Sequence, residues 1–312
     1  MLEMNTRSNK KSGGRSGARS NDSKKKPFNT KRTFSKKKSN TKDDTEKKDV
    51  SKRDKGKYID FKSKQKKGDP LPSFNEAVRL NKYLSNAGIC SRRDADIYIK
   101  TGVVSVNDEI ITEMGFRVKP GDVVKYDGAS INAQKKRYVL LNKPKGFITT
   151  MDDPYNRKTV MALVKKACKE RVYPVGRLDK ETTGLLLFTN DGDLAKKLTH
   201  PSHKASKMYH VQLNKKISKE DLEKTLTGVR LEDGTSTFDK AEYVADGNAY
   251  EVGVELHSGK NRIVRRTFEE IGYTVVKLDR VTFSGLTKRD VPRGMFRHLS
   301  EKEVSFLKMT KN

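Results

Sequence analysis

The feature that most constrains this chain is a break in composition near residue 70. Residues 1–70 carry 24 Lys/Arg and 9 Asp/Glu but only ten apolar side chains. Ordering a residue costs roughly 1–2 kcal/mol of backbone entropy, and so few apolar groups cannot offset that cost. Stretches such as SKKKPFNTKR and KSKQKKGDPLP read as a disordered basic arm over residues 1–76, with Pro70 and Pro72 marking the entry to folded sequence. Such an arm serves either as a solubilising tail or as a low-specificity tether for a polyanion. The core must come from the residues that follow, enough for one large domain or two ordinary ones.

Those residues are basic too. The whole chain of 312 residues has a formal charge of +28. An excess that large repels itself unless a polyanion neutralises it, and nucleic acid is the usual partner because each phosphate contact releases a counterion. An anionic membrane surface would also attract such a chain, but no long apolar run exists to span a bilayer. The N-terminal MLEMNTRSNKKSGG lacks the apolar stretch of a secretory signal. Two cysteines far apart, Cys90 and Cys168, point to a reducing compartment rather than a disulfide scaffold. With five scattered histidines they form no zinc pattern. A cytoplasmic protein is expected. No heptad or unpartnered apolar stripe is evident, so a monomer is expected as well.

From Ala77 a helical pattern sets in. Val78, Leu80, Leu84 and Ala87 fall near helical spacing and Gly88 is a natural C-cap. Ser91 opens a second helix with Asp94 in capping-box position, and Gly102 ends it. Short β segments follow: VVSV, a turn at Asn107-Asp108, EIIT, and DVVKYD after Pro120-Gly121. This is a helix–helix–strand unit over 77–135, close to the lower size limit for independent folding. Arg79, Lys82, Arg92, Arg93 and Lys100 cluster on its two helices.

The larger region, 136–312, interleaves strands and helices. RYVLLNKPKGFITT reads as a strand and hairpin about Pro144–Gly146. MALVKKACKE reads as a helix, and RVYPVGRLD as a strand running into a tight turn. GLLLFTN is a continuous apolar run, consistent with a buried strand. DLAKKLTH is a short helix stopped by Pro201, with His200 and His203 capping its end rather than holding a metal. KMYHVQL (strand), SKEDLEKTLTG (helix), YEVGVELHSG (strand), NRIVRRTFEEIG (helix) and TVVKLDRVTFSGL (strand) complete the set. Recurrent hairpin-type connections make this α+β, with a mixed, largely antiparallel sheet.

The chemistry is less obvious. There is no GxxxxGK[ST] loop, no GxGxxG after a strand and no GxSxG elbow. Asp179 sits in a turn between two apolar segments, where a lone carboxylate ordinarily just accepts local backbone N–H groups. Its surroundings alter that reading. YPVGRLDKETTGLLLFTNDGDLAKKLTHP, residues 173–201, closely resembles the signature of the RsuA/RluB/RluE/RluF family of ribosomal RNA pseudouridine synthases, with GRLD, GLLLFTNDG and LTHP in register. RLNKYLSNAGICSRRDADIYIKTGVVSVNDEII likewise resembles the S4 RNA-binding domain, across most of 78–133. The resemblance runs over about 78–307 and leaves out the arm.

The resemblance implies specific roles. The GRLD aspartate, here Asp179, is the catalytic carboxylate. The tyrosine of SKMYHV, Tyr209, packs against the displaced uracil, with Lys207 beside it. Gly259-Lys260-Asn261-Arg262-Ile263-Val264-Arg265-Arg266 matches a Gly-Arg-x-x-Gln-Val-Arg-Arg segment. It makes Arg265 the ion-pair partner of the carboxylate, and the Gln position is occupied here by Ile263. Arg177 and Arg262 join the basic residues facing RNA. In the S4-like unit Arg79, Lys82, Arg92 and Arg93 do the same. Pseudouridylation conserves atoms and needs no net redox, so no cofactor and no metal are expected. The base must leave the stack at a cost of a few kcal/mol, and an aromatic platform returns roughly 1–3 kcal/mol. A guanidinium beside a carboxylate opposes the pKa rise that burial causes.

The layout and HSGKNRIVRR look closest to the B-type members, which act on the large ribosomal RNA, so large-subunit RNA or an assembly intermediate is the expected partner. The rival reading is a non-catalytic RNA-binding ribosome-assembly factor, for which the S4-like unit and the arm would suffice. Retention of Asp179, Tyr209 and Arg265 together weighs against it. A DNA-binding role lacks any groove-reading motif.

Overall fold

The computed structural model describes residues 77–245 and 248–309; the proposed basic arm lies outside the described residues. The first folded segment is built on two short helices, α1 (Leu80–Asn86) and α2 (Arg92–Lys100). The Ser91 side chain accepts from the Asp94 N–H and the Asp94 carboxylate accepts from the Ser91 N–H, so both halves of the capping box form. Strand β1 (Val78–Arg79) pairs with β4 (Arg117–Val118), while β2 (Val104–Val106), β3 (Glu109–Ile110), β5 (Val124–Tyr126) and β6 (Ala129–Ser130) form a sheet in the order β3-β2-β5-β6. Leu80, Leu84, Ala95, Ile99, Val104, Val106 and Val124 fill its core. Two details differ from the sequence reading. Val78 and Arg79 are strand rather than helix, because β4 offers them a backbone partner. Arg79 thus precedes the helix it was expected to decorate.

The second segment is organised by one mixed sheet. Its strands are β7 (Tyr138–Lys143), β8 (Tyr173–Pro174), β9 (Thr183–Thr189), β10 (Lys207–Leu213), β13 (Lys240–Tyr243), β14 (Glu251–Leu256), β15 (Val275–Phe283), β16 (Leu286–Thr287) and β17 (Phe296–His298). A separate hairpin comprises β11 (Val229–Leu231) and β12 (Gly234–Ser236). The sheet order is β13-β14-β10-β15-β9-β7-β17, with β8 and β16 paired to β9 and β15. Only β15 and β9 run parallel, so the expected mixed, largely antiparallel α+β sheet is what forms. Helices α3 (Val160–Val164), α4 (Gly192–Thr199), α5 (Lys219–Thr227), α6 (Ile263–Glu270) and α7 (Glu301–Met309) complete the segment. Leu185, Leu186, Leu187 and Phe188 of β9 are all fully buried, which is why that run carries no polar alternation.

Two expected elements come out differently. The predicted MALVKKACKE helix stops after Val164; Val160 and Val164 are its buried residues, and Ala167 and Cys168 pack against the same core from the turn that follows. Pro144–Gly146 turns the chain but no return strand follows; the Gly146 N–H donates to the Lys180 carbonyl instead, docking the turn beside Asp179. The two segments touch. The Arg171 N–H donates to Gln134 Oε1 at 3.2 Å, Arg171 Nη1 donates to the Cys90 carbonyl at 3.1 Å, and Lys82 pairs with Asp193 at 2.6 Å. Among the described residues no helix is long and apolar enough to cross a membrane.

Candidate active site

The turn that carries Asp179 lies between β8 and β9, and its shape is set by backbone contacts. The Thr182 N–H donates to the Asp179 carbonyl at 3.1 Å. Beneath it sits Lys143, fully buried at the end of β7. Its ammonium donates to the carbonyls of Pro144, Asp179, Lys180 and Thr182 at 3.1, 3.0, 3.3 and 2.8 Å. Burial lowers its pKa to about 8; Asp179 and Glu181 act in the opposite direction. A cation threaded under the turn gathers these carbonyls to one point and leaves the Asp179 side chain free to face outward.

A second network locks β15 against the turn. The Asp279 carboxylate accepts from Thr183 Oγ1 (2.6 Å), Arg293 Nη1 (2.7 Å) and Lys288 Nζ (2.5 Å). Arg293 Nη1 also donates to Asn142 Oδ1 at 2.7 Å, so the network ties β15 to the start of β9 and the end of β7. Burial alone would raise the Asp279 pKa, yet the bonds from Arg293, Lys288 and Thr183 outweigh it and hold it at about 2. That lies below the roughly 3.9 of a free aspartate. Its stabilising contribution is therefore full above about pH 4 and lost as pH falls through about 2. In Asp279→Asn the fall in unfolding midpoint between about pH 4 and pH 2 should be shallower than in the parent. Identical acid limbs in urea titrations would contradict this assignment. Gly184 permits the close approach of the two strands: a Cβ there would lie 2.3 Å from the Arg280 carbonyl oxygen.

Above this scaffold opens a cavity of about 180 Å³. Asp179 and Arg177 line it from the turn, Lys207 and Tyr209 from β10, Leu278 and Arg280 from β15, and Arg262 and Ile263 from the start of α6. Lys207 and Tyr209 are two residues apart on one strand, so both face the same side, and Tyr209 stands directly opposite Arg280 on β15. The Asp179 carboxylate has no hydrogen-bond or ion-pair partner among the described residues. Tyr209 is half-buried, packed against both flanking cores. The cavity thus offers an unengaged carboxylate, an aromatic wall and cationic groups, a combination suited to a planar polar base on a phosphate backbone.

The remaining expected residues fall into distinct settings. Arg265 is 8 % exposed and lies behind the cavity wall. Its Nη1 donates to the Val275 carbonyl at 2.7 Å, and its Nε is buried without a partner. Burial and neighbouring Arg262 lower its pKa, while Asp179, Glu269 and Glu181 oppose them. The expected direct ion pair with Asp179 is not formed within 4 Å, because Val275 holds the guanidinium; the two groups act on each other through space. Lys207 donates to the Ala205 and His257 carbonyls at 2.9 and 2.8 Å, which fixes its head at the cavity rather than in solvent. Arg262 is exposed at the rim, in a left-handed backbone conformation with φ 46°. Arg177, Arg92 and Arg93 are exposed. Lys82 is engaged with Asp193 and so bridges the two segments.

Sequence reasoning missed Lys143, Asp279, Arg280 and Arg293. Two signals were present: a lysine closing the apolar run YVLLNK, and a charged pair inside the strand VVKLDRV. A charge within an apolar run is rarely left unpaired.

The fold joins a cavity holding an unpaired carboxylate and an aromatic wall to a small helix–helix–strand module. Comparison with known proteins makes the class definite. The RNA pseudouridylate synthase family profile matches residues 137–270 and the S4 domain profile matches 78–124. The chain is 39% identical over 233 residues to ribosomal large subunit pseudouridine synthase B of Bacillus subtilis, covering 74% of this chain and 95% of that one. It is 36% identical over 242 residues to the dual-specificity RNA pseudouridine synthase RluF of Escherichia coli K12, covering 76% and 81%. A crystal structure of a pseudouridylate synthase superposes with a TM-score of 0.53 at 26% identity, covering 74% of this chain and all of that one. The chain belongs to the RNA pseudouridine synthase family and carries an S4 domain.

Proposed function

We propose that this protein isomerises one defined uridine of ribosomal RNA to pseudouridine, with Asp179 as the essential carboxylate and large-subunit RNA as substrate. The observation that carries the reading is the unengaged Asp179 carboxylate sharing one cavity with Tyr209. Within the family we place the chain in the RsuA/RluB/RluE/RluF branch, near the B type, in keeping with its similarity to the B. subtilis and E. coli enzymes. A cytoplasmic monomer, divided into an arm (1–76), an S4 domain (77–135) and a catalytic domain (136–312), belongs to the same reading.

In this reaction the N1–C1′ bond breaks, uracil turns, C5 bonds to C1′, the C5 proton passes to water and N1 takes up a proton, so the product is an isomer of the substrate. The base must first leave its stack. Tyr209 supplies a replacement face, and Arg177 and Arg262 at the rim, with Arg79, Arg92 and Arg93 on the S4 segment, supply phosphate contacts that offset the cost. Whether Asp179 attacks the sugar, attacks the base or takes a sugar proton, it must be ionised. The Arg265 guanidinium behind the wall interacts with that carboxylate through space. Arg265→Ala should therefore reduce turnover much more than RNA affinity. Loss of affinity with turnover per bound RNA unchanged would make Arg265 a phosphate contact only. The substrate is tested by incubating the purified protein with large- or small-subunit RNA transcripts tritiated at uridine C5. Release of about one equivalent from the large-subunit transcript is expected; release only from the small-subunit transcript would reassign the substrate.

A further inference from the structure

Arg280 is the strongest unexplained group in the molecule. It is 3 % exposed, yet it lines the Asp179 cavity. Its Nε donates to the Leu185 carbonyl at 2.8 Å and its guanidinium lies 4.6 Å over the Phe283 ring, so its position is fixed from two sides. Its Nη2 is buried with no partner, and Nη1 makes no hydrogen bond among the described residues. Four N–H donors of one guanidinium are thus left unused. No carboxylate stands within 4 Å of it or of Lys207 among the described residues. Lys207, on the same sheet face, spends two of its three donors on the Ala205 and His257 carbonyls and keeps one. Two cations therefore face one small cavity with no carboxylate paired to either, Asp239 acting on Lys207 only through space. Thr182 Oγ1, in the same lining, is buried and unpaired as well.

Burying a charge without a partner is costly, and burying two side by side costs more. The cavity's own carboxylate, Asp179, pairs with neither. An anion entering with the ligand resolves this, and a guanidinium fork matches phosphate oxygens two at a time. We propose that Arg280 and Lys207 form a phosphate subsite on the cavity floor, which takes the phosphate of the same nucleotide whose base packs on Tyr209. The idea rests on reading the cavity as a uridine site. Arg280 and Tyr209 are cross-strand neighbours, so base and phosphate would be held by adjoining side chains of two paired strands. The burial and mutual repulsion that lower the Lys207 pKa to about 8 are relieved when the anion arrives.

The test is equilibrium binding of uridine, uridine 5′-monophosphate and uridine 3′-monophosphate to the full-length protein at physiological salt. At least one monophosphate should bind roughly ten-fold or more tightly than uridine, the worth of a charge-assisted hydrogen bond. The preference should vanish in Arg280→Gln, be partly kept in Arg280→Lys, and persist in Arg289→Gln, a surface control outside the cavity. Lys207→Gln is the second variant should Arg280→Gln fail to fold, and it too should weaken the preference. Equal binding of uridine and both monophosphates by the parent protein overturns the proposal, as does an undiminished preference in Lys207→Gln and Arg280→Gln. A parent that releases C5 label but shows no phosphate preference sinks the subsite alone. A parent that shows the preference but releases no label supports the subsite and sinks the pseudouridylation reading.

Discussion

Asp179→Asn leaves RNA binding intact and abolishes release of label from uridine C5. The substitution keeps the shape of the side chain and removes only its charge. No hydrogen bond or ion pair among the described residues depends on that charge, and the turn is held through main-chain groups; the charge acts on buried Lys143 and Arg265 only through space. The fold and the basic surface should be unchanged, so affinity should match the parent, while the unfolding temperature should shift only by the loss of this through-space effect on Lys143 and Arg265. Turnover should fall by a factor on the order of 10⁴, the scale on which losing one catalytic group acts in other enzymes. Single-turnover label release at saturating protein measures it. A fall of less than ten-fold would make Asp179 a turn residue and leave the RNA-binding assembly factor as the better account.

The second large effect is expected at Lys143. Lys143→Met keeps the aliphatic stem and deletes the ammonium under the catalytic turn. The four carbonyls it serves belong to Pro144, Asp179, Lys180 and Thr182. Two have a further donor, because Thr182 N–H reaches the Asp179 carbonyl and Gly146 N–H that of Lys180. The expected loss of stability is about 2–3 kcal/mol, the range for hydrogen bonds to a charged group whose partners stay buried. In a domain of this size that lowers the unfolding temperature by about 5–10 °C. Turnover should drop even well below that temperature, because the Asp179 main chain loses a fixed point while the RNA-facing side chains are untouched. Calorimetry and label release on the same preparation separate the two effects. An unchanged unfolding temperature would mean that the charge is no asset to the fold, as happens when a buried charge is replaced by well-packed apolar groups.

Local structure was legible wherever the cause was local. The Ser91–Asp94 box and the buried β9 run needed only neighbours in sequence. The α+β class followed from alternating patterns and turn residues. Asp179 was singled out because a 29-residue stretch around it is so distinctive. The groups that fix its geometry were not legible, because their partners are remote: Lys143 meets Thr182, Arg280 meets Leu185, and Arg293 meets Asn142, separations of 39, 95 and 151 residues. Sequence patterns show that a charge lies in an apolar run but not which partner lies across the sheet. The Pro144–Gly146 turn shows the same limit. Its residues specify a bend, but whether a strand returns depends on whether an edge is free, and there the chain meets the Asp179 turn instead. For Arg265 the register was legible and the contact was not, since the Val275 carbonyl lies on another element.

Modification of a single uridine is read out by base-resolution mapping of pseudouridine in ribosomal RNA. The maps to compare come from the parent strain, a strain lacking this gene, and that strain complemented with the wild-type or the Asp179→Asn chain. One large-subunit site should be lost on deletion, restored by the wild-type chain and not restored by Asp179→Asn. A map unchanged by the deletion, or a site restored equally by both chains, would contradict it.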